Sequence, residues 1–149
     1  TLICIGDFFF FFPNNLKKYS NCQMIMKKRV LLSIHPEFAE AIFNGHKHYE
    51  FRRVLFKQDV DEVVVYATMP VAKVIGSFKI DDIYEDAPKA LWAKTKKVSG
   101  VTKEKFDNYF KNRTRAFAIK VGEPVRFAVP EPLSNYVRSN TPPQSFCYI

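Results

Sequence analysis

The 149-residue sequence predicts an α+β domain, a small mixed β-barrel with helices packed around it. Five or six short apolar or alternating segments read as strands, and three segments with apolar residues at helical spacing fall between them. No regular strand–helix–strand rhythm runs through the chain, which excludes a doubly wound parallel sheet. Apolar residues make up 47% of the sequence, including 15 Phe and 7 Tyr, enough for a packed interior.

Each element has a local reason. Arg29 to Ile34 is a short apolar run, the pattern of a buried strand. Pro36 suits the first turn of a helix carrying Phe38, Ala39, Ile42 and Phe43, which Gly45 ends as a left-handed cap. Lys47 to Arg53 alternates as a half-buried strand, Tyr49 and Phe51 inward, His48, Glu50 and Arg52 outward. Glu62 to Thr68 is β-branched and nearly all apolar, a central strand closed by Pro70. Ala72 to Ile80 alternates again, and Gly76 on its apolar face marks a bulge or a close backbone approach. Pro88 opens a short helix with Leu91 and Trp92. Another follows Gly100, with Thr102 as N-cap, Val101 stapled onto Phe106, and a stripe of Phe106, Tyr109 and Phe110. Arg115 to Val121 and Val125 to Val129 read as two further strands. The proline-punctuated tail from Pro130 is irregular until Phe146 to Ile149.

Residues 24–149 are expected to form the single domain, and residues 1–23 to stand outside it. The Phe-rich N-terminal segment starts with Thr, and the first methionines are Met24 and Met26. It is expected not to belong to the native chain. It does not read as a signal peptide or a membrane span, because Asp7 interrupts it, Pro13 ends it and no basic region precedes it. A net charge of +8 and a pI near 9.4 favour an anionic partner, nucleic acid being the commonest. Cys4, Cys22 and Cys147 form no close pair, which argues against a disulfide framework or a zinc site and for a reducing, cytoplasmic setting. Cys147 reads as a small buried residue. His35, His46 and His48 read as exposed loop and strand residues and not as a metal site. No cofactor-binding signature is present.

The chemistry concentrates in Gly45-His-Lys-His-Tyr-Glu-Phe-Arg-Arg53. Glu50 and Arg52 share a strand face, where carboxylate and guanidinium can fix one another and present donors and an acceptor to a base or phosphate. Strict alternation puts Lys47 on the other face, so its long stem must turn back to join them. The competing expectation is a surface salt-bridge row on an edge strand. Basic groups at Lys27 to Arg29, at Lys94, Lys96 and Lys97, and at Lys111, Arg113 and Arg115 are interleaved with Trp92, Tyr109 and Phe110. They would track a nucleic-acid backbone if they converged on one cleft. Phe106 and Phe110 themselves read as core, and Trp92 as either core or contact.

Gly45-x-Lys47-x-x-Glu50-x-Arg52 resembles the G-x-K-x-x-E-x-R motif of the ASCH domain family, within the PUA-like superfamily. The likeness extends over Ser33 to Pro36, Tyr66-Ala67-Thr68-x-Pro70, Gly76, Leu91-Trp92 and Pro142-Pro143-Gln144-Ser145-Phe146, covering roughly residues 29–149. It implies a PUA-like β-barrel with a cleft between barrel and helices, and binding of RNA or a nucleotide. The residues expected at that site are Lys47, Glu50, Arg52, Arg53, Thr68, Trp92, Gln144 and Ser145. One family branch hydrolyses the acetyl amide of acetylated cytidine with a Lys, a Thr and a Glu. Here Lys47 matches the Lys, but Glu50 stands where that branch has Thr, so Lys47 and Glu50 would have to orient a water instead. Three functions stay open: an RNA- or nucleotide-binding module, a small amidohydrolase acting on a modified nucleoside, and a metabolite-sensing regulatory module. No metal, cofactor or membrane is expected in any of them.

Overall fold

The computed structural model describes residues 27–149, so the boundary expected after residue 23 lies outside the described residues. Six strands form one sheet: β1 (Arg29–Ile34), β2 (Tyr49–Arg52), β3 (Glu62–Ala67), β4 (Lys73–Asp86), β5 (Ala116–Glu131) and β6 (Phe146–Tyr148). Their order is β2-β5-β4-β3-β1-β6. Only the β1–β3 pair is parallel; the other neighbours are antiparallel. Helices α1 (Pro36–Phe43), α2 (Pro88–Thr95) and α3 (Lys103–Tyr109) pack on the sheet, which curls into a half-barrel. The mixed, barrel-like α+β architecture is the one the sequence predicts.

The sheet curls because its two long strands are repeatedly bulged. β4 shifts register against β3 once and against β5 three times, and each extra residue bends the strand and increases its twist. This explains two departures from the sequence reading. The strands expected at 115–121 and 125–129 are a single strand, because Gly122, Glu123 (φ 43°) and Pro124 make a bulge that carries the strand through. β4 continues past Ile80 to Asp86, although Asp81 and Asp82 break the apolar alternation, because Asp82 pairs with Lys120 and Ile83 with Ile119.

Both faces of β1 and β3 are covered, which is why their sequences are continuously apolar. Val30, Leu32, Ile34, Val63 and Val65 pack with Ala39 and Ile42 of α1. Leu31, Val64 and Tyr66 pack on the other side with Leu133 and the half-buried Cys147. A separate cluster joins Tyr49 and Phe51 of β2 to Leu91, Phe106 and Phe110 beneath α2 and α3, the Phe51 and Phe106 rings meeting edge to face at 5.1 Å. That edge-to-face contact holds the helical layer against β2.

The caps set where this layer begins and ends. Gly45 has φ 76°, and the Gly45 and His46 amides donate to the Ile42 and Ala41 carbonyls, closing α1 in a Schellman arrangement. Thr102 Oγ1 accepts from the Lys105 amide at 3.2 Å and starts α3. Gly76 answers the close-approach expectation: a Cβ there would collide with the Val125 carbonyl oxygen and the Phe43 ring. Since the carbonyl is backbone and cannot rotate away, Gly76→Ala is expected to destabilise the fold by about 1–3 kcal/mol, read as a lower urea midpoint at unchanged slope.

Candidate functional site

A cavity of about 410 Å³ opens between the end of β1, β2, α1 and α3. Phe38, Phe51, Phe106 and Tyr109 provide aromatic walls. Lys47, Glu50 and Arg52 supply charge, and His35, Lys105 and Asn108 complete the lining. Ligand pockets commonly combine such a largely apolar wall with a few convergent polar groups.

Lys47 reaches the charged group by local chain geometry. It follows the Gly45 cap, its own amide donates to the Ala41 carbonyl at 3.0 Å, and β2 begins only at Tyr49. Strand alternation therefore does not govern it, and its stem folds back as the motif requires. The ammonium donates to the Tyr49 carbonyl, lies 3.3 Å from Glu50 Oε2 and sits 4.7 Å from the centre of the Phe51 ring. Only 2% of Lys47 is exposed. Burial pushes its pKa below the ordinary lysine value, with the Glu50 carboxylate opposing.

Glu50 is shared: Oε1 faces Arg52 Nη1 at 3.5 Å while Oε2 faces Lys47. Arg52 then crosses to the far edge of the sheet. Nη1 donates to the Ser33 carbonyl at 3.3 Å, and Nη2 donates to the Ser145 carbonyl at 2.9 Å and its hydroxyl at 2.6 Å. Ser33 Oγ in turn donates to the Pro143 carbonyl at 2.6 Å. All four residues of β2 are buried, so the strand is neither half-exposed nor a surface salt-bridge row. Helices cover one side of this edge strand, and Arg52 ties its other side to β1 and the C-terminal segment.

The structure thus brings together Lys47, Glu50 and Arg52, with Ser145 behind Arg52. The remaining expected residues stand elsewhere. Arg53 is exposed; its Nε donates to the Tyr109 carbonyl at 2.7 Å and its guanidinium stacks 4.4 Å over the Tyr109 ring, pinning the end of α3 beside the cleft. The Thr68 amide donates to the Ile34 carbonyl at 3.0 Å, and Thr68 does not line the cavity. Gln144 is exposed and also outside the lining. Trp92 packs 4.8 Å from Phe106 but opens into a second groove behind α3. The basic groups do not converge on the cleft: Lys94 pairs with Asp86 and Arg115 with Glu85, while Lys96 and Arg113 line that second groove.

The sequence reading does not mark His35, Phe38, Lys105 or Asn108 as cleft-lining residues, and it offers Tyr109 only among the aromatics interleaved with the basic groups. In the sequence Phe38 and Tyr109 fall in helical apolar stripes, and His35 looks like an ordinary loop residue. The usable signal was its place between the end of a strand and a helix-starting proline, where a βα turn aims side chains over the sheet's end. Among the described residues, no three His, Cys, Asp or Glu side chains gather as a metal would require. Nor is any helix there long and apolar enough to cross a membrane.

A small, curled, mixed sheet with a helix-covered motif strand and a charged cleft at its edge defines a PUA-like domain. More specifically, the chain belongs to the ASCH domain family, whose model matches residues 32–125. An ASCH domain-containing ribonuclease of Zymomonas mobilis is 29% identical over 126 residues, covering 83% of this chain and 85% of that protein. The crystal structure of ASCH from Zymomonas mobilis superposes with a TM-score of 0.75 at 27% identity, covering 81% of this chain and 87% of that one. The ATP synthase subunit alpha of Ureaplasma parvum is also 29% identical over 126 residues; that match spans 84% of this chain and only 16% of the subunit.

Glu50→Gln would leave Lys47 and Arg52 as buried cations without their shared carboxylate. It is expected to cost about 3 kcal/mol of stability, measured by urea denaturation. Lys47 also sets a pH dependence. Its folded pKa is below 10.5, so between the two values the unfolded chain holds more protons and stability rises with pH. The difference between wild type and Lys47→Met, followed from neutral pH upward, is expected to show that rise in the wild type only.

Proposed function

We propose that this chain acts on single-stranded RNA, seating one nucleotide in the cleft and breaking the adjacent phosphodiester bond. The observation that carries this is the buried Lys47–Glu50–Arg52 group at the base of an aromatic-walled cavity of about 410 Å³. Two cations against one carboxylate leave a net positive floor, suited to a phosphate. The Phe38 and Tyr109 rings offer faces for an unstacked base, the usual mode of single-strand RNA recognition. Histidine is the side chain that exchanges protons near neutral pH, and His35 stands on the cleft wall with Lys105. In the proposed reaction the ribose 2′-hydroxyl attacks the adjacent phosphorus as it gives up its proton to His35. The bond to the 5′-oxygen breaks as that oxygen takes a proton from solvent water, His35 later returns its proton to solvent, and the cations offset the charge on the phosphoryl oxygens. The ribonuclease name of the Zymomonas mobilis relative supports this reading.

Arg52 serves here as a positioning residue, because its terminal nitrogens already face Glu50 and donate to Ser33 and Ser145. The 3.3 Å Lys47–Glu50 pair is also the one that amide hydrolysis of a modified nucleoside would use, so acetylated cytidine belongs in the substrate panel.

The test is binding and cleavage of a labelled RNA decamer, its DNA counterpart and acetylated cytidine by the full chain. Wild type is expected to bind and cut the RNA and to leave DNA, which lacks the attacking hydroxyl, uncut. His35→Ala is expected to bind RNA as before but cut it about a hundredfold more slowly. No RNA binding would overturn the proposal; acetate release from acetylated cytidine without RNA cleavage would replace it by the amidohydrolase.

A further inference from the structure

Behind α3, on the side away from the cleft, lies a second and wider concavity of about 820 Å³ between α2, α3 and the start of β5. Lys89, Trp92, Lys96, Lys103, Phe110 and Arg113 line it, with Asp107 as its one carboxylate. Asp107 is paired with Lys103 along α3. Lys89, Lys96 and Arg113 meet no carboxylate at ion-pair distance among the described residues, and all three are exposed. Most other basic side chains flanking these helices do meet one: Lys94 pairs with Asp86, Lys105 with Glu37 and Arg115 with Glu85. Three unneutralised cations thus stand together around one aromatic-bearing groove, and Lys97 and Lys111, also without an ion-pair partner among the described residues, flank the same helices.

This groove is not remote from the cleft. The two share α3 as a common wall, since Phe106 lines the cleft and packs 4.8 Å from Trp92. A helix with its side chains is about 10–12 Å across, so a strand leaving the cleft has only that distance to cross. Lys103 and Lys105, near the beginning of α3, face the groove and the cleft respectively.

We propose that this groove is a second contact surface for single-stranded RNA, which takes the part of the strand that extends beyond the nucleotide in the cleft. Lys89, Lys96 and Arg113 neutralise its phosphates, and Trp92 contacts a base. The inference rests on the cleft being the primary RNA site. An acidic protein segment would satisfy the cations but would leave the half-exposed Trp92 ring without a role; alternating cations and an aromatic face match a polynucleotide.

The experiment uses 2′-O-methyl RNA, which cannot be cut through its own 2′-hydroxyl, as a dinucleotide and as a decamer. Binding to the full chain is measured across about 50–300 mM salt, a range over which phosphate contacts separate clearly. Wild type is expected to bind the decamer much more tightly than the dinucleotide. The variant Lys89→Gln/Lys96→Gln/Arg113→Gln alters three exposed side chains and is expected to keep dinucleotide affinity. Its decamer affinity should fall about tenfold or more at the low-salt end, with the slope of log K against log salt shallower by about 2. Trp92 is the single tryptophan of the sequence, so its fluorescence reports on the groove directly: the decamer should quench it and the dinucleotide should not. An unchanged decamer affinity and slope in the variant, or no length dependence in wild type, would overturn the second surface while leaving the cleft reading intact. Polyglutamate displacing the decamer from the groove without affecting the dinucleotide would reassign it to an acidic protein. A wild-type chain that binds neither RNA would overturn both readings.

Discussion

The Arg52 guanidinium is the interaction on which the domain's closed form depends. β2 ends one side of the sheet, and β1 with β6 ends the other, with no hydrogen-bond ladder between them. Arg52 spans that gap by donating to Ser33 and Ser145, and Glu50 supports it from within β2. Hydrogen bonds from a charged donor contribute about 1.5–3 kcal/mol each, enough to hold a segment whose own strand, β6, has only three residues. The cleft is the space left where the curled sheet stops short of closing.

The same arrangement explains why a lysine can be buried to this degree. An ammonium stripped of water is costly unless its protons and charge are met. Lys47 finds the Tyr49 carbonyl, half of the Glu50 carboxylate and the Phe51 ring face. Glu50 is similarly costly alone, and Arg52 supplies its other partner. Such a group resembles a chain of mutual obligations more than a set of independent ion pairs, and truncating any member strands the rest.

The sequence made the local elements legible where a single residue carries an unambiguous conformational meaning. Gly45 could only end α1, Thr102 could only start α3, and the apolar runs of β1 and β3 could only be interior strands. The fold class followed from their order, and the charged core of the site followed from three motif residues. Legibility failed where meaning comes from distant partners. Gly122-Glu123-Pro124 looks like a turn in isolation and becomes a bulge only because β4 bends alongside it. Lys47 was placed by an alternation that does not extend beyond the strand. The cleft wall was hidden because Phe38 and Tyr109 sit in the same apolar stripes as true core residues, and only the missing neighbour on one side distinguishes them.

Gly100 (φ 66°) lies directly on the stem of Lys47, so closely that a methyl group there would overlap the lysine's own Cα, Cβ and Cγ. The signature G-x-K-x-x-E-x-R is therefore not a portable cassette. Grafted onto another sheet with its cap and strand intact, it would still lack the bare backbone that roofs the lysine from a loop far along the chain. In an unfamiliar sequence, the motif is better diagnosed together with a glycine just ahead of the helix that walls the cleft. A lineage that exchanged that glycine would have to reshape the lysine's surroundings before the eight motif letters changed at all.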